Sequence, residues 1–186
     1  MKALVILANG FEEVEALAPI DILRRAKVDV TVAALENNPQ RTATGSHGVE
    51  IGCDSFFSDS KNENFDAVIL PGGLRGAENL ASSAEVSAYL KKMNSEKKFI
   101  CAICASPALV LHPLGILDGK KAVCYPGMEV EGSSTKFLED RVLRDGNIIT
   151  ARGAGCAMEF GLEIVKALFS SDGEKIAKDL HKKLVC

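Results

Sequence analysis

Short, continuously apolar runs recur along the chain at 2–8 (KALVILA), 28–35 (VDVTVAAL), 65–73 (FDAVILPGG) and 98–104 (KFICAIC). Runs of this length without polar alternation predict strands buried on both faces. The text between them has helical spacing. Residues 15–26 (EALAPIDILRRA) form one such segment, in which Pro19 either opens a second helical piece or kinks the first. Residues 83–97 form another, with Ser83 placed as its N-cap. A short helix is expected over 106–115, stopped at His112-Pro113, and amphipathic helices over 155–169 and 172–185. Two stretches are choppier. Residues 42–57 alternate apolar and polar around Gly45 and Gly48, which predicts a hairpin or edge pair, and 119–152 reads as short strands with a turn at Asp145-Gly146. Buried strands alternating with helices predict an α/β, flavodoxin-like doubly wound sandwich: a mainly parallel sheet with helices on both faces, in a single domain over 1–186.

Composition narrows the function classes. The chain has 186 residues, 47% hydrophobic and 25% charged, and can bury roughly 70% of its unfolded surface without disulfides or a metal. A net charge of -3 with scattered Lys and Arg argues against a nucleic-acid partner. The first apolar run is too short for a secretory signal and none approaches a membrane span, so a cytoplasmic protein is expected, with no membrane partner. Six cysteines, at 53, 101, 104, 124, 156 and 186, lack the spacing of a secreted disulfide scaffold and read mostly as small buried hydrophobes.

Ligands of such sheets sit outside the carboxyl ends of the strands. Three segments meet that condition: NGFEEVE after the first strand, PGGLRGAEN after the third and CASP after the fourth. Cys104 falls at a strand-to-helix turn, where helix amides and the helix dipole favour thiolate, and where the N–H of Ala105 would face an oxyanion. Its bland reading is a small core residue. Gly72 and Gly73 allow close backbone approach, so the Gly73 amide is a candidate second oxyanion donor, against the plainer reading of a tight turn. Among Glu12, Glu13 and Glu15, only Glu15 has an apolar surround, and a carboxylate there would titrate as a pair with the thiol.

Other chemistries fit less well. Cys101 and Cys104 have CxxC spacing, but along a strand their Cα atoms would lie roughly 10 Å apart, beyond the reach of about 7 Å for a disulfide. No second CxxC or paired His supports zinc. GAGCAM at 153–158 lacks the third glycine of a dinucleotide fingerprint, and no ribose-binding acid follows it.

Four motifs, VILANGFEEVEA, VILPGGLRGAENL, AICASPALV and ITARGAGCAMEFGLEIV, resemble the ThiJ/PfpI superfamily, in the branch of the parkinsonism-associated protein DJ-one. The resemblance runs nearly end to end. It implies a flavodoxin-like fold, a homodimer, and a reactive cysteine that lands on Cys104. Its acidic partner lands on Glu15, and the oxyanion donors on Gly73 and Ala105. Two departures stand out. Tyr125 in CYPG replaces the histidine that some members carry near the cysteine, and His47 replaces an arginine of the human-like members, which puts any anion site there in doubt. Members that are proteases have His directly after the nucleophile, where this chain has Ala105. The late His-x-Glu of related glutaminases is also missing.

Two functions are expected from a Cys104–Glu15 pair. One is a cofactor-independent glyoxalase or deglycase, acting slowly on methylglyoxal or glyoxal through a hemithioacetal, with Tyr125 as a possible pocket residue and no metal. The alternative is a redox-sensing stress protein or chaperone switched by oxidation of Cys104 to sulfinic acid.

Overall fold

The computed structural model describes residues 1–36 and 39–184, so Cys186 and Val185, the last residue of the expected closing helix, lie outside the described residues. The four apolar runs form strands β1 (Lys2–Leu7), β2 (Asp29–Ala34), β6 (Ala67–Leu70) and β7 (Phe99–Ile103). The alternating segment gives β3 (Thr42–Thr44) and β4 (Glu50–Gly52), an antiparallel hairpin, as expected. It then adds β5 (Ser55–Phe56), which leaves the hairpin to pair in parallel with β2. The choppy region contains β8 (Lys121–Ala122), β9 (Lys136–Phe137), β10 (Val142–Asp145) and β11 (Ile148–Ala151).

Seven strands make one sheet in the order β10-β11-β7-β6-β1-β2-β5, parallel except for the β10–β11 pair. Among the described residues six α-helices accompany it: α1 (Glu13–Arg25), α2 (Phe57–Ser60), α3 (Leu74–Ser82), α4 (Ala84–Ser95), α5 (Ala157–Leu168) and α6 (Gly173–Leu184). Strand periodicity sorts the core into two layers. Ala3, Val5 and Leu7 face a layer with Ile22 and Leu23 of α1, Phe160 and Val165 of α5, and Leu180 of α6. Leu4, Ile6 and Ala8 face the other, with Leu80 of α3 and Val86 and Leu90 of α4. The expected α/β sandwich is therefore present, with helices on both faces.

Two local features differ from expectation, and one open alternative narrows. Residues 74–82, which directly follow the glycine pair, are helical; the single extended residue between Ser82 and Ala84 conceals α3 because Ser83 both ends it and caps α4 by accepting from Val86 N–H. The helix expected over 106–115 is only one wide π turn (Pro107–Leu111) and one 3-10 turn (His112–Leu114), ended by Gly115 at φ +70°. Of the two alternatives for Pro19, no second helical piece opens there: it sits buried inside α1, where it packs against α5.

That contact sets the spacing of the layer. A Cβ on Gly161 of α5 would stand 2.8 Å from Ile22 Cδ1 and 3.1 Å from Pro19 Cα, so the two helices approach at a point where no side chain fits. Gly161→Val is expected to destabilise the fold by about 1–3 kcal/mol, the usual cost of overpacking a filled core. Urea unfolding would check this, and an unchanged midpoint would show that α1 and α5 can move apart freely.

Candidate active site

The site is built where the strand order reverses, between β1 and β6, the place where open parallel sheets bind ligands. β1 leads into Gly10, Phe11 and the start of α1; β6 into Gly72 and Gly73; β7 into Cys104; and β11 into Gly153 and Ala154. In-register pairing, Leu70 opposite Ala102 and Ile103 opposite Ala151, brings these ends to one edge.

β7 ends at Ile103, and Cys104 then turns into the left-handed region at φ +64°. A side chain held there costs on the order of 1–3 kcal/mol, which the surroundings must overcome. Two backbone bonds clamp it: Cys104 N–H donates to Ala151 O at 2.9 Å, and Tyr125 N–H donates to Cys104 O at 2.8 Å. The next turn is pinned by the buried Ser106 hydroxyl, which donates to Pro71 O at 2.5 Å. The sulfur is thereby lifted off the strand while its backbone stays fixed to both neighbours.

Glu15, 1% exposed, enters from the first turn of α1. Its own N–H donates to Glu12 Oε2 at 2.8 Å, so Glu12 is the cap that orients this turn. Glu15 Oε2 accepts from Gly72 N–H at 2.9 Å, and the carboxyl also accepts from Ala154 N–H and shares a hydrogen bond with Cys104. Gly72 permits the meeting: a Cβ there would collide with Cys104 Cβ and lie 2.5 Å from Glu15 Oε2. Gly73, at φ +81°, and Ala105 both aim N–H groups at the Cys104 sulfur.

Burial dominates the protonation of this pair. It pushes Glu15 up to about 7, with the nearby Glu12 charge adding to it and the Cys104, Gly72 and Ala154 hydrogen bonds opposing it. It pushes the Cys104 thiol up to about 12, aided by the Glu15 charge and opposed by the Gly73 and Ala105 amides. The expectation of a thiol acidified by a following helix is therefore corrected. The helix that follows is a single π turn, and desolvation outweighs the amides. Two groups joined by one hydrogen bond lose protons as a pair. Below about 7 this pair carries two protons, and between about 7 and about 12 it carries one proton and one negative charge, with amides positioned to hold that charge on either partner.

The profile of the DJ-1/PfpI family matches residues 1–167. The chain belongs to the DJ-1/PfpI family. Among family relatives, "Protein DJ-1 homolog B" of Arabidopsis thaliana is 45% identical over 92% of this chain, which spans only 39% of that relative's length. "Deglycase PH1704" of Pyrococcus horikoshii is 32% identical over 90% of this chain and 99% of its own. The solved structure of oxidized Toxoplasma gondii DJ-1 superposes with a TM-score of 0.90 at 37% identity, covering 99% of this chain and 97% of that one.

Within this DJ-1/PfpI fold, Cys104, Glu15, Gly72, Gly73 and Ala105 are brought together, and Tyr125 stands beside them. The Tyr125 ring lies 3.6 Å, and Glu15 Oε1 3.8 Å, from where a Cβ of Gly153 would be. Ala154 was missed by sequence reasoning; the signal was the glycine pair 153 and 155 at the end of a strand, set aside as a failed dinucleotide motif. Cys101 is fully buried beneath the site, and its thiol and that of Cys104 are free. Of the other cysteines, 124 and 156 are buried as expected, whereas Cys53 is partly exposed.

Glu13 and His47 form a separate cluster. Burial pushes Glu13 up, but hydrogen bonds from the His47 ring (2.8 Å) and His47 N–H (2.7 Å) bring it down to about 2. Glu12, Glu13 and His47 present ligand atoms within 4.8 Å of one another, but the Glu13 oxygens are already taken by His47, Ser46 and Val49.

Removing the Glu15 charge removes one cause of the raised thiol. Glu15→Gln is expected to replace the two-step titration with a single step, giving thiolate at a lower pH than in the wild type, with burial still holding the thiol above its ordinary value. Thiolate absorbance measured against a Cys104→Ser blank would check it, and an upper step left unmoved would disprove the coupling.

Proposed function

We propose that this chain is a glyoxalase- or deglycase-type enzyme that needs no cofactor and acts on small dicarbonyls such as methylglyoxal and glyoxal. The observation that carries this reading is the buried Glu15 carboxyl, hydrogen-bonded to Cys104 and pushed to about 7, where it can both accept and donate a proton. The family relative called a deglycase supports the general class.

In the proposed reaction the Cys104 sulfur bonds to the aldehyde carbon and its proton passes to Glu15. The new alkoxide, as an oxyanion, accepts from the Gly73 and Ala105 N–H groups. Glu15 returns that proton to the oxyanion, giving the hemithioacetal hydroxyl, and the freed carboxylate then takes the hydrogen from the same carbon as a proton. Through an enediol, Glu15 delivers a proton to the neighbouring carbon while the hydroxyl proton of the first carbon passes to the oxygen of the second, leaving a thioester of a 2-hydroxy acid. Water cleaves the thioester, and the thiol is restored. The net change is addition of one water, with no external oxidant or reductant. Tyr125 stands where other members carry a histidine, so Glu15 performs every proton transfer and turnover is slow.

A second reading, a redox sensor or stress chaperone, is favoured by the half-buried Cys104 sulfur and by the relative solved in oxidized form. A protonated Glu15 would donate to a Cys104 sulfinate.

Homodimer formation is proposed through the outer face of α1. Val14 and Leu17 are 50% and 40% exposed there, and Val49, 47% exposed, adjoins them through Glu13. Leu17→Glu is expected to halve the mass measured by light scattering; a monomeric wild type, or a variant of unchanged mass, would remove this surface from consideration.

The enzyme reading is tested with methylglyoxal and chiral detection of lactate. Cys104→Ser is expected to abolish turnover and Glu15→Gln to lower it by about 100-fold or more, the usual worth of a positioned acid–base group. Turnover that survives Cys104→Ser would sink the mechanism. If the wild type is inactive but forms a sulfinate with peroxide, the sensor reading takes its place.

A further inference from the structure

Beside the thiol–carboxylate pair lies a cleft of about 400 Å³ whose walls include Tyr125, Gly153, Ala154, Arg141 and Arg152. Its inner wall, at Gly153 and Ala154, adjoins the reaction centre. Ala154 donates its N–H to the Glu15 carboxyl, and the open side of Gly153 looks onto both the Tyr125 ring and Glu15 Oε1. The outer wall is cationic, but its two arginines differ in availability. Arg141 is occupied: its Nε reaches both Glu159 oxygens at 2.9 and 3.0 Å, and its terminal nitrogen donates to Gly155 O. Arg152 is half-buried and donates to one neutral acceptor, Glu139 O, at 3.1 Å. No carboxylate lies within ion-pair distance of it among the described residues, although Glu139 also lines the cleft.

A partly desolvated guanidinium with unused donors favours a planar anion, and a carboxylate matches its fork. We propose that Arg152 selects substrates, so that the preferred dicarbonyl is a 2-oxoaldehyde bearing a carboxylate at its far end. The aldehyde then sits at Cys104 and the carboxylate at Arg152, with the intervening methylenes crossing Gly153. Glyoxal and methylglyoxal carry no carboxylate for Arg152 to hold. The inference rests on Cys104 and Glu15 being the reaction centre, and the chemistry is the same isomerisation followed by hydrolysis, giving a hydroxy-dicarboxylic acid.

The test compares kcat/KM for 4,5-dioxopentanoate with that for methylglyoxal in wild type, Arg152→Gln and Arg152→Lys. The wild type is expected to favour the anionic substrate by about tenfold or more, the usual worth of a charge-assisted contact. That ratio should collapse in Arg152→Gln through KM, be partly kept in Arg152→Lys, and fall with added salt in the wild type. A wild-type ratio near one, or one that Arg152→Gln leaves unchanged, overturns the proposal. Should Arg152→Gln fail to fold, Arg152→Lys and the salt dependence decide it. If neither substrate turns over, binding of 4-oxopentanoate is followed by NMR. Saturable binding lost in Arg152→Gln keeps the anion site while the reaction reading fails, and no binding overturns the site as well.

Discussion

The site depends on one close approach. Cys104 and Glu15 meet only because residue 72 has no side chain, and from that contact follow both the shared proton and the displaced titrations. Two acids brought out of water side by side resist both being charged, so the pair keeps its first proton up to about 7 and its second up to about 12, each further than the free groups would. Every neighbouring amide then acts on a single movable charge. Gly72 and Ala154 address it on the carboxylate, and Gly73 and Ala105 on the sulfur.

The scaffold supplies precision to that contact from four separate strand ends. Cys104 cannot relax from its left-handed backbone without breaking its bonds to Ala151 and Tyr125, one on each side of the turn. Glu15 is similarly held, because the helix that carries it is capped by Glu12, whose N–H in turn donates to Gly72 O at 3.0 Å. The carboxylate, its helix and the glycine loop thus move as one piece. Loops of this kind keep reacting atoms in place because the sheet beneath them is fully packed.

Most of the architecture was legible because strands buried on both faces leave apolar runs: β6 and β7 are continuous, β1 is so after Lys2, and β2 is broken only by Asp29 and Thr31. What escaped was structure whose cause lies elsewhere in the chain. β5 is a strand only because β2 offers it an edge, and α3 is separated from α4 by the single residue Ser83, too brief a break to be read as two helices. At the site, Cys104 and Glu15 were visible from their positions after strands, and the turn chemistry of Gly72 and Gly73 was visible in the glycine pair. Protonation was not legible. A thiol before a helix reads as acidic, but burial is a property of the whole fold and here it outweighs the local amides. Ala154 carries no side-chain signal, since its contribution is a backbone N–H.

The margins of the sheet bear on how the protein behaves when concentrated. A sheet edge is a template for another chain's strand, and long, flat, apolar edges drive aggregation. Here one margin is β5, two residues long, running straight into α2 and with the Arg41 guanidinium over its Phe56 ring. The opposite margin is the four-residue β10, which carries Arg144 and Asp145. Neither offers a long run of unpaired backbone to recruit a stray strand, and the apolar parallel strands, in a chain nearly half of whose residues are apolar, lie in the interior between them.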